Sequence, residues 1–419
     1  MSENKQRALV LGLGASGEAA ARLLVNQEYA VTVADAADAE TCAVRAEALQ
    51  ALGVHVLVDV TMLPDTEFDL CVVSPGIAES SAWVRELDDR GIEVLSELEL
   101  GFRYCQCPIV AVTGTNGKST LVKLINEILE SAGLRSMVAG NYGIPLCDRV
   151  EASKLLDWLV VEVSSFQLER VSTFRPRVGI LLNLQPDHLN RHGDMATYRG
   201  LKSRLFHHMD PDDTAIVQED ELAPIRSLVS DREQWLTFGL SSSVDLRYDA
   251  SGYVMGGNGT DRGKVLDVRG TRFDNPILGQ ATAAAVAAAE ACDVSPEAVA
   301  RALRAFVPLP HRMEPVREVN GISFINDSKA TNLASLVAGV QMVSEPTRLI
   351  AGGQLKEKDL EFAKEVLATH VASVYLIGDA ADAMQMAWHE TVPCVCCETL
   401  ERATSRAYED AQIGDTVLL

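Results

Sequence analysis

The segment Ile109-Val-Ala-Val-Thr-Gly-Thr-Asn-Gly-Lys-Ser-Thr120 carries an apolar run into a glycine-rich turn and then into Lys-Ser-Thr. These residue types suit a phosphate. Gly114 and Gly117 allow the backbone N–H groups of the turn, which also holds Thr115 and Asn116, to wrap an anion. A helix opening at Lys118, Ser119 and Thr120 would add the positive end of its dipole. Lys118 can neutralise β and γ oxygens, and Ser119 is placed to hold Mg²⁺. The G-x-x-G-K-S spacing is two residues shorter between its glycines than the usual phosphate loop. The assignment therefore leans on context: Leu121, Leu124, Ile125, Ile128 and Leu129 form one apolar helical face directly after the turn.

A second glycine turn, Gly12-Leu-Gly14-Ala15-Ser16-Gly17, also sits between an apolar run and a helical pattern, and Asp35 stands where a ribose-binding acid would be found. That turn fits NAD and, equally, any other diphosphate-linked nucleoside such as a UDP-sugar. Glu162 closes the run Trp158-Leu-Val-Val-Glu, where a nucleotide enzyme places a carboxylate near Mg²⁺. His188 lies just beyond another apolar run. Imidazole is an uncommon Mg²⁺ ligand, so chemistry alone leaves its role open. His192, four residues on, invites a zinc reading, against which stands the commoner structural histidine. Lys202, taken alone, reads as one more lysine on a helix surface. Asn326-Asp-Ser-Lys-Ala-Thr-Asn332 gathers polar side chains after a further run, near Arg312. There Asp327 could simply cap the next helix, while Lys329 and Arg312 bring positive charge suited to a phosphoryl group.

These groups need strand ends to hold them. Apolar runs alternate with helical patterns along all 419 residues, which implies an α/β fold of mostly parallel sheets and more than one core. Strands are expected at 8–11, 31–34, 54–58 and 70–73, then at 109–112, 159–163 and 178–182, and finally at 322–325, 348–351, 374–377 and 416–419. The expected domains are 1–96, 97–308 and 309–419: Rossmann-like, phosphate-loop and Rossmann-like. Lys plus Arg number 37 against 59 Asp plus Glu, a net charge of −22, the wrong sign for gripping nucleic acid. Nine cysteines, an odd number, suit a reducing cytoplasm. Cys394-x-x-Cys397 lacks a second pair or a nearby histidine and is read as small buried strand residues. The alanine run 281–291 contains Glu290 and is too short to span a bilayer.

Taken together, these motifs resemble the Mur ligase family. The resemblance rests on Gly12–Gly17, Ser74-Pro75-Gly76-Ile-Ala78, Thr113–Thr120, Gly140-Asn141-Tyr-Gly143, Glu162-Val-Ser-Ser-Phe-Gln-Leu-Glu169, Asp187-His188, Leu309-Pro-His-Arg312 and Asn326–Asn332. The fifth and last blocks look like its D-glutamate-adding branch. The resemblance implies ATP-driven amide formation in cytoplasmic peptidoglycan synthesis. The carboxylate of UDP-N-acetylmuramoyl-L-alanine would take the γ-phosphoryl, and the amine of D-glutamate would displace phosphate. It also implies two Mg²⁺ ions, one at Ser119 and Glu162, the other at His188 and at Lys202 carrying a CO₂-derived carbamate. Gly14, Ala15, Ser16, Asp35, Ser74, Pro75, Gly76 and Asn141 would meet the UDP substrate. Arg312, Asp327 and Lys329 would lie around ATP, with Lys329 among the catalytic residues beside Lys118, His188 and Lys202. Thr331 and Lys356 would receive D-glutamate. The enzyme is expected to be monomeric, with a third domain that closes over the site.

Two departures from the family pattern stand out. Gly279-Gln280 runs straight into Ala281 where an asparagine near adenine is expected, and the sequence stops at Leu419 where family members continue. We expect from both that residues are missing from this sequence and that the intact chain weighs more than 45.3 kDa. Folylpolyglutamate synthase shares the phosphate loop and modified lysine but lacks a comparable UDP domain. An NAD-dependent oxidoreductase explains the first glycine turn and leaves Lys118 without a role. A nucleotide-binding regulator without turnover would follow if the two segments are truly lost.

Overall fold

A computed structural model describes residues 5–229, 232–257, 263–343, 346–354 and 359–419. Continuous apolar runs become strands buried on both faces. The first sheet is parallel throughout: β1 (Arg7–Leu11), β2 (Ala30–Ala34), β3 (His55–Leu57), β4 (Leu70–Val73) and β5 (Glu93–Ser96), in the order β3-β2-β1-β4-β5. Alternation sends Ala8, Val10, Val33 and Val72 into one core and Leu9, Leu11, Cys71 and Val73 into another. Such a sheet reverses its winding between β1 and β4, which opens a crevice at the strands' carboxyl ends.

The second sheet has nine strands: β6 (Ile109–Thr113), β7 (Ser136–Gly140), β8 (Trp158–Glu162), β9 (Val178–Leu181), β10 (Thr214–Gln218), β11 (Leu236–Gly239), β12 (Leu246–Asp249), β13 (Tyr253–Gly256) and β14 (Lys264–Asp267). Their order is β14-β13-β12-β11-β10-β9-β6-β8-β7, parallel except for the β12–β14 meander. The third sheet holds β15 (Glu314–Val319), β16 (Ile322–Asn326), β17 (Thr347–Gly352), β18 (Val371–Ile377), β19 (Cys394–Cys396) and β20 (Thr416–Leu418), in the order β15-β16-β20-β17-β18-β19. Only β15 runs antiparallel there.

The chain packs as two compact units. The first two sheets share one, up to Thr271 with Gly279–Arg304, and the third belongs to the other, Arg272–Leu278 with Ala305–Leu419. Within the first unit the sheets are bolted together. Glu99, on the helix Glu97–Tyr104 that follows β5, is buried and accepts the backbone N–H groups of Ser172, Thr173 and Phe174 at 3.0–3.1 Å. Arg170 reaches the other way, forking onto Asp88 at 2.9 and 2.8 Å.

The alanine-rich helix Pro276–Ala291 passes unbroken through Gly279-Gln280-Ala281. One expectation needs correction. The cysteines of 394–397 are not interior: β19 is an edge strand, Cys396 is exposed, and Cys394 and Cys397 are half-buried. Among the described residues no cluster of three or more metal-ligating side chains occurs, and no helix is long and apolar enough to cross a membrane.

Candidate functional site

The phosphate loop joins the end of β6 to the helix Lys118–Ser131. Gly114 and Gly117 both take positive φ, +146° and +83°, and Gly117, which stands at the helix start, has no side chain to cap it. The loop is braced from the next strand end. Asn183 accepts the N–H groups of Thr115 and Asn116 at 3.2 and 2.9 Å, and Gln185 accepts from the Asn116 side chain at 3.0 Å. Thr115 Oγ1 lies 3.2 Å from the Tyr198 hydroxyl, and Lys118 Nζ donates to Thr115 O at 2.7 Å. Thr120 sits half-buried in the helix's first turn.

Beside this loop Ser119 Oγ donates to Glu162 Oε2 at 2.6 Å, both residues being buried. Asn141 donates to the other oxygen of Glu162 at 2.6 Å, and its backbone N–H to Glu162 O at 2.9 Å. Gly140 makes that approach possible: a Cβ there would lie 2.2 Å from Glu162 O. A hydroxyl and a carboxylate, buried and aimed together beside a phosphate cradle, are the hard oxygen donors that Mg²⁺ takes, so the residues present fit the ion.

Lys202 corrects its reading as a surface lysine. It lies on the helix Met195–Ser203, is 1% exposed, and donates through Nζ to Thr113 Oγ1 at 3.0 Å and Gly114 O at 2.9 Å. Burial first, and then the charge of Lys118, hold its ammonium well below the usual lysine range. His188 caps a short helical turn at φ +54°, an unfavourable conformation outside glycine. Its ring is half-exposed, 3.6 Å from Asp187 and 4.8 Å from the Phe166 ring. His192 is structural: its Nε2 meets Ser165 Oγ at 2.9 Å, and burial, reinforced by Arg191, pushes it down to about 4.

A second group of predicted residues surrounds the crevice of the first sheet. Gly14, Ala15 and Ser16 open the helix Ala15–Asn26, which no side chain caps. Gly17 is obligatory, since a Cβ there would lie 1.8 Å from Gly12 O. Asp35 braces the turn, accepting the N–H groups of Leu13 and Ala37. Ser74 Oγ donates to Gly12 O at 3.1 Å, which closes the Ser74-Pro75-Gly76 loop onto the glycine turn.

In the other unit, Asp327 and Thr331 line a cleft of about 420 Å³ with Asn332, Gly353, Gln354 and Met384. Burial pushes the Asp327 carboxyl up to about 6, although it accepts the Met313 N–H at 2.9 Å. Asp327 is not the helix cap: Asn332 takes that place, accepting from Ser335 N at 2.8 Å, because the helix starts only at Leu333. Lys329 is exposed and its N–H bonds His311 O; Arg312 is half-buried, its N–H on Leu309 O. Lys356 lies outside the described residues.

The residues that sequence reasoning missed are Asn183, Gln185, Tyr198 and Arg191. The first two stand in a polar stretch right after an apolar strand, a legible signal. The other two act through contacts that the sequence does not show.

Comparison with known proteins agrees with this arrangement. The Mur ligase MurD-like N-terminal domain matches residues 6–96, the Mur ligase middle domain 112–292, and the Mur ligase glutamate ligase domain 311–419. The UDP-N-acetylmuramoylalanine--D-glutamate ligase of Pelotomaculum thermopropionicum is 38% identical, over 99% of this chain and 92% of its own length. That of Desulfotalea psychrophila is 36% identical, over 98% and 90%. Among solved structures, MurF from Acinetobacter baumannii shares the fold with a TM-score of 0.64 at 18% identity, covering 98% of this chain and 89% of that one. A bifunctional folylpolyglutamate synthase/dihydrofolate synthase from Yersinia pestis, TM-score 0.57 at 19% identity, covers 77% of this chain and 87% of its own. Three successive domain matches and these full-length relatives carry one conclusion: the chain belongs to the Mur ligase family.

Proposed function

We propose that this chain is an ATP-dependent ligase that joins D-glutamate to UDP-N-acetylmuramoyl-L-alanine in the cytoplasmic assembly of peptidoglycan precursors, with residues 1–96, 97–308 and 309–419 as its domains. The observation that carries the reading is the buried cluster of Ser119, Glu162 and Lys202 around a phosphate loop, in one compact unit with a separate glycine-turn crevice. An oxidoreductase would leave that cluster without work.

Gly114–Thr120 would cradle the ATP phosphates, with Lys118 countering charge on the oxygens in flight. Ser119 and Glu162 would hold one Mg²⁺, and His188 with modified Lys202 the other; such ions spread positive charge over the phosphoryl and carboxylate oxygens. Gly14–Ser16, Asp35, Ser74–Gly76 and Asn141 would hold the UDP substrate. Arg312, Asp327 and Lys329 would complete the ATP site, with Thr331 and Lys356 receiving D-glutamate. The γ-phosphoryl passes to the substrate carboxylate, and the amine then displaces phosphate. Excluding water protects the activated carboxyl between those steps. Lys202, whose uncharged amine burial favours, attacks CO₂ through Nζ, forms an N–C bond and releases one proton, which turns a neutral amine into an anion. The enzyme acts as a monomer.

The test is phosphate release from Mg-ATP with UDP-N-acetylmuramoyl-L-alanine and, in turn, L-alanine, D-glutamate, L-lysine or meso-diaminopimelate. Release that requires both the UDP substrate and D-glutamate is expected. Release with another amino acid, or none with any, would overturn the reading.

A further inference from the structure

Arg191 is not a surface arginine. Its guanidinium grips Glu169 with Nε at 2.9 Å and Nη2 at 2.6 Å, stacks 4.3 Å from the centre of the Phe166 ring, and has its remaining reach committed to the first sheet's crevice. There Nη1 donates to Pro75 O at 2.7 Å and Nη2 to Ile77 O at 3.0 Å. The side chains of Arg191 and Glu169 are 16% and 8% exposed, so this is a charge pair largely kept from water.

The position of those carbonyls matters. The sheet order β3-β2-β1-β4-β5 puts the ligand crevice between the loops that follow β1 and β4. Arg191 holds the second of these by its backbone. A trans peptide is planar with its C=O and N–H opposed, so fixing the Pro75 and Ile77 carbonyls on Arg191 turns the N–H groups of Gly76 and Ala78 away from it. Gly76 is exposed, with open space where a Cβ would stand. On its other side Arg191 shares the Phe166 ring with His188, whose ring lies 4.8 Å from it. From His192, 3.8 Å from Glu169, the contacts continue to Tyr198, stacked at 5.5 Å, and on to Thr115 in the phosphate loop.

We propose that Arg191, anchored by Glu169, is a positioning residue that presents the Ser74–Ala78 loop to the diphosphate of the UDP substrate and sets that loop in register with His188. The proposal rests on reading the first-sheet crevice as the UDP-substrate site. Arg170 provides the contrast. It also spans the two sheets of this unit, but through the side chains of Asp88 and Glu79 and not through the backbone of the crevice.

The test compares Arg191→Ala, Arg191→Lys, Glu169→Gln and Arg170→Ala by steady-state kinetics in all three substrates. Arg191→Ala is expected to raise KM for UDP-N-acetylmuramoyl-L-alanine by about tenfold and to leave KM for ATP within about twofold. Arg191→Lys, a single point charge that cannot fork across two carbonyls and a carboxylate, should fall between Arg191→Ala and the parent. Arg170→Ala should keep the parent KM values. Should Arg191→Ala not fold, Arg191→Lys and Glu169→Gln carry the same comparison. An unchanged KM for the UDP substrate in the Arg191 variants would overturn the proposal. So would a parallel rise for all substrates that Arg170→Ala reproduces, because that is general loosening. If the parent enzyme itself does not turn over the UDP substrate, the reading of the crevice fails and not merely the role of Arg191.

Discussion

Because Lys202 is buried against Thr113 and Gly114, with Lys118 in its field, its ammonium form is disfavoured relative to an ordinary lysine. That favours the free amine which the proposed reaction with CO₂ requires, and a simple structural prop would not need it. Lys202→Arg keeps a hydrogen-bond donor at this place but cannot give up its proton. We therefore expect Lys202→Arg to lose turnover by about a hundredfold or more, as when a preorganised charge is removed from a phosphoryl-transfer site. Incubation of the parent with ¹³C-bicarbonate should give a carbamate carbon resonance that the variant lacks. A prop would show no such signal in either protein. At this scale the sequence was informative where a residue's neighbours are its chain neighbours, as for Gly114, Lys118 and Ser119. It was silent on Lys202's burial and on Arg191, since both depend on segments scores of residues away.

Elements bring their own chemistry. Glu97 opens the helix after β5 and is 1% exposed; its Oε1 accepts the Cys147 N–H at 2.7 Å, while Oε2 is buried without a hydrogen-bond partner. Burial, opposed by the bonds from Cys147, pushes its carboxyl up to about 7 from 4.5. The folded chain therefore binds a proton more tightly than the unfolded one. The stabilisation is complete below pH 4.5 and is lost as pH rises through 7. Replacing the carboxyl with an amide removes this dependence, so Glu97→Gln should gain up to about 3 kcal/mol over the parent by pH 8 and nothing at pH 4. Urea unfolding of both proteins at the two pH values checks it; a constant difference would show that Glu97 does not titrate in this range. The same scale explains which strands could be read in advance. β1, β4, β6 and β9 lie inside parallel sheets and appear as apolar runs. Polar residues and half-buried faces hid β15 and the β12–β14 meander, and the short β19 and β5 offered too little pattern.

Taken whole, the molecule carries a net charge of −22, yet every proposed substrate is an anion. Binding then depends on local cradles of amides, lysines and ions working against the field of the entire surface. Salt weakens that distant repulsion more than it weakens contacts inside a cleft. Raising ionic strength from about 0.01 to 0.15 M, which shortens the Debye length from about 30 to 8 Å, should therefore raise the association rate of a nucleotide by a few-fold at saturating Mg²⁺. Stopped-flow binding of a fluorescent ATP analogue measures it. A rate that falls with salt would mean that local positive charge outweighs the global field.

The alanine-rich helix Pro276–Ala291 constrains how this lineage can change. From Ala283 to Ala289 its side chains are buried at 0–3% exposure, each reduced to a methyl group or, at Val286, little more. Apart from glycine, every substitution open to those alanines adds volume where packing has left none. Genetic drift can scarcely enter from within the helix, and must wait for a neighbour to shrink first. Paired substitutions, a larger residue here with a smaller one opposite, are the signature to look for among its descendants.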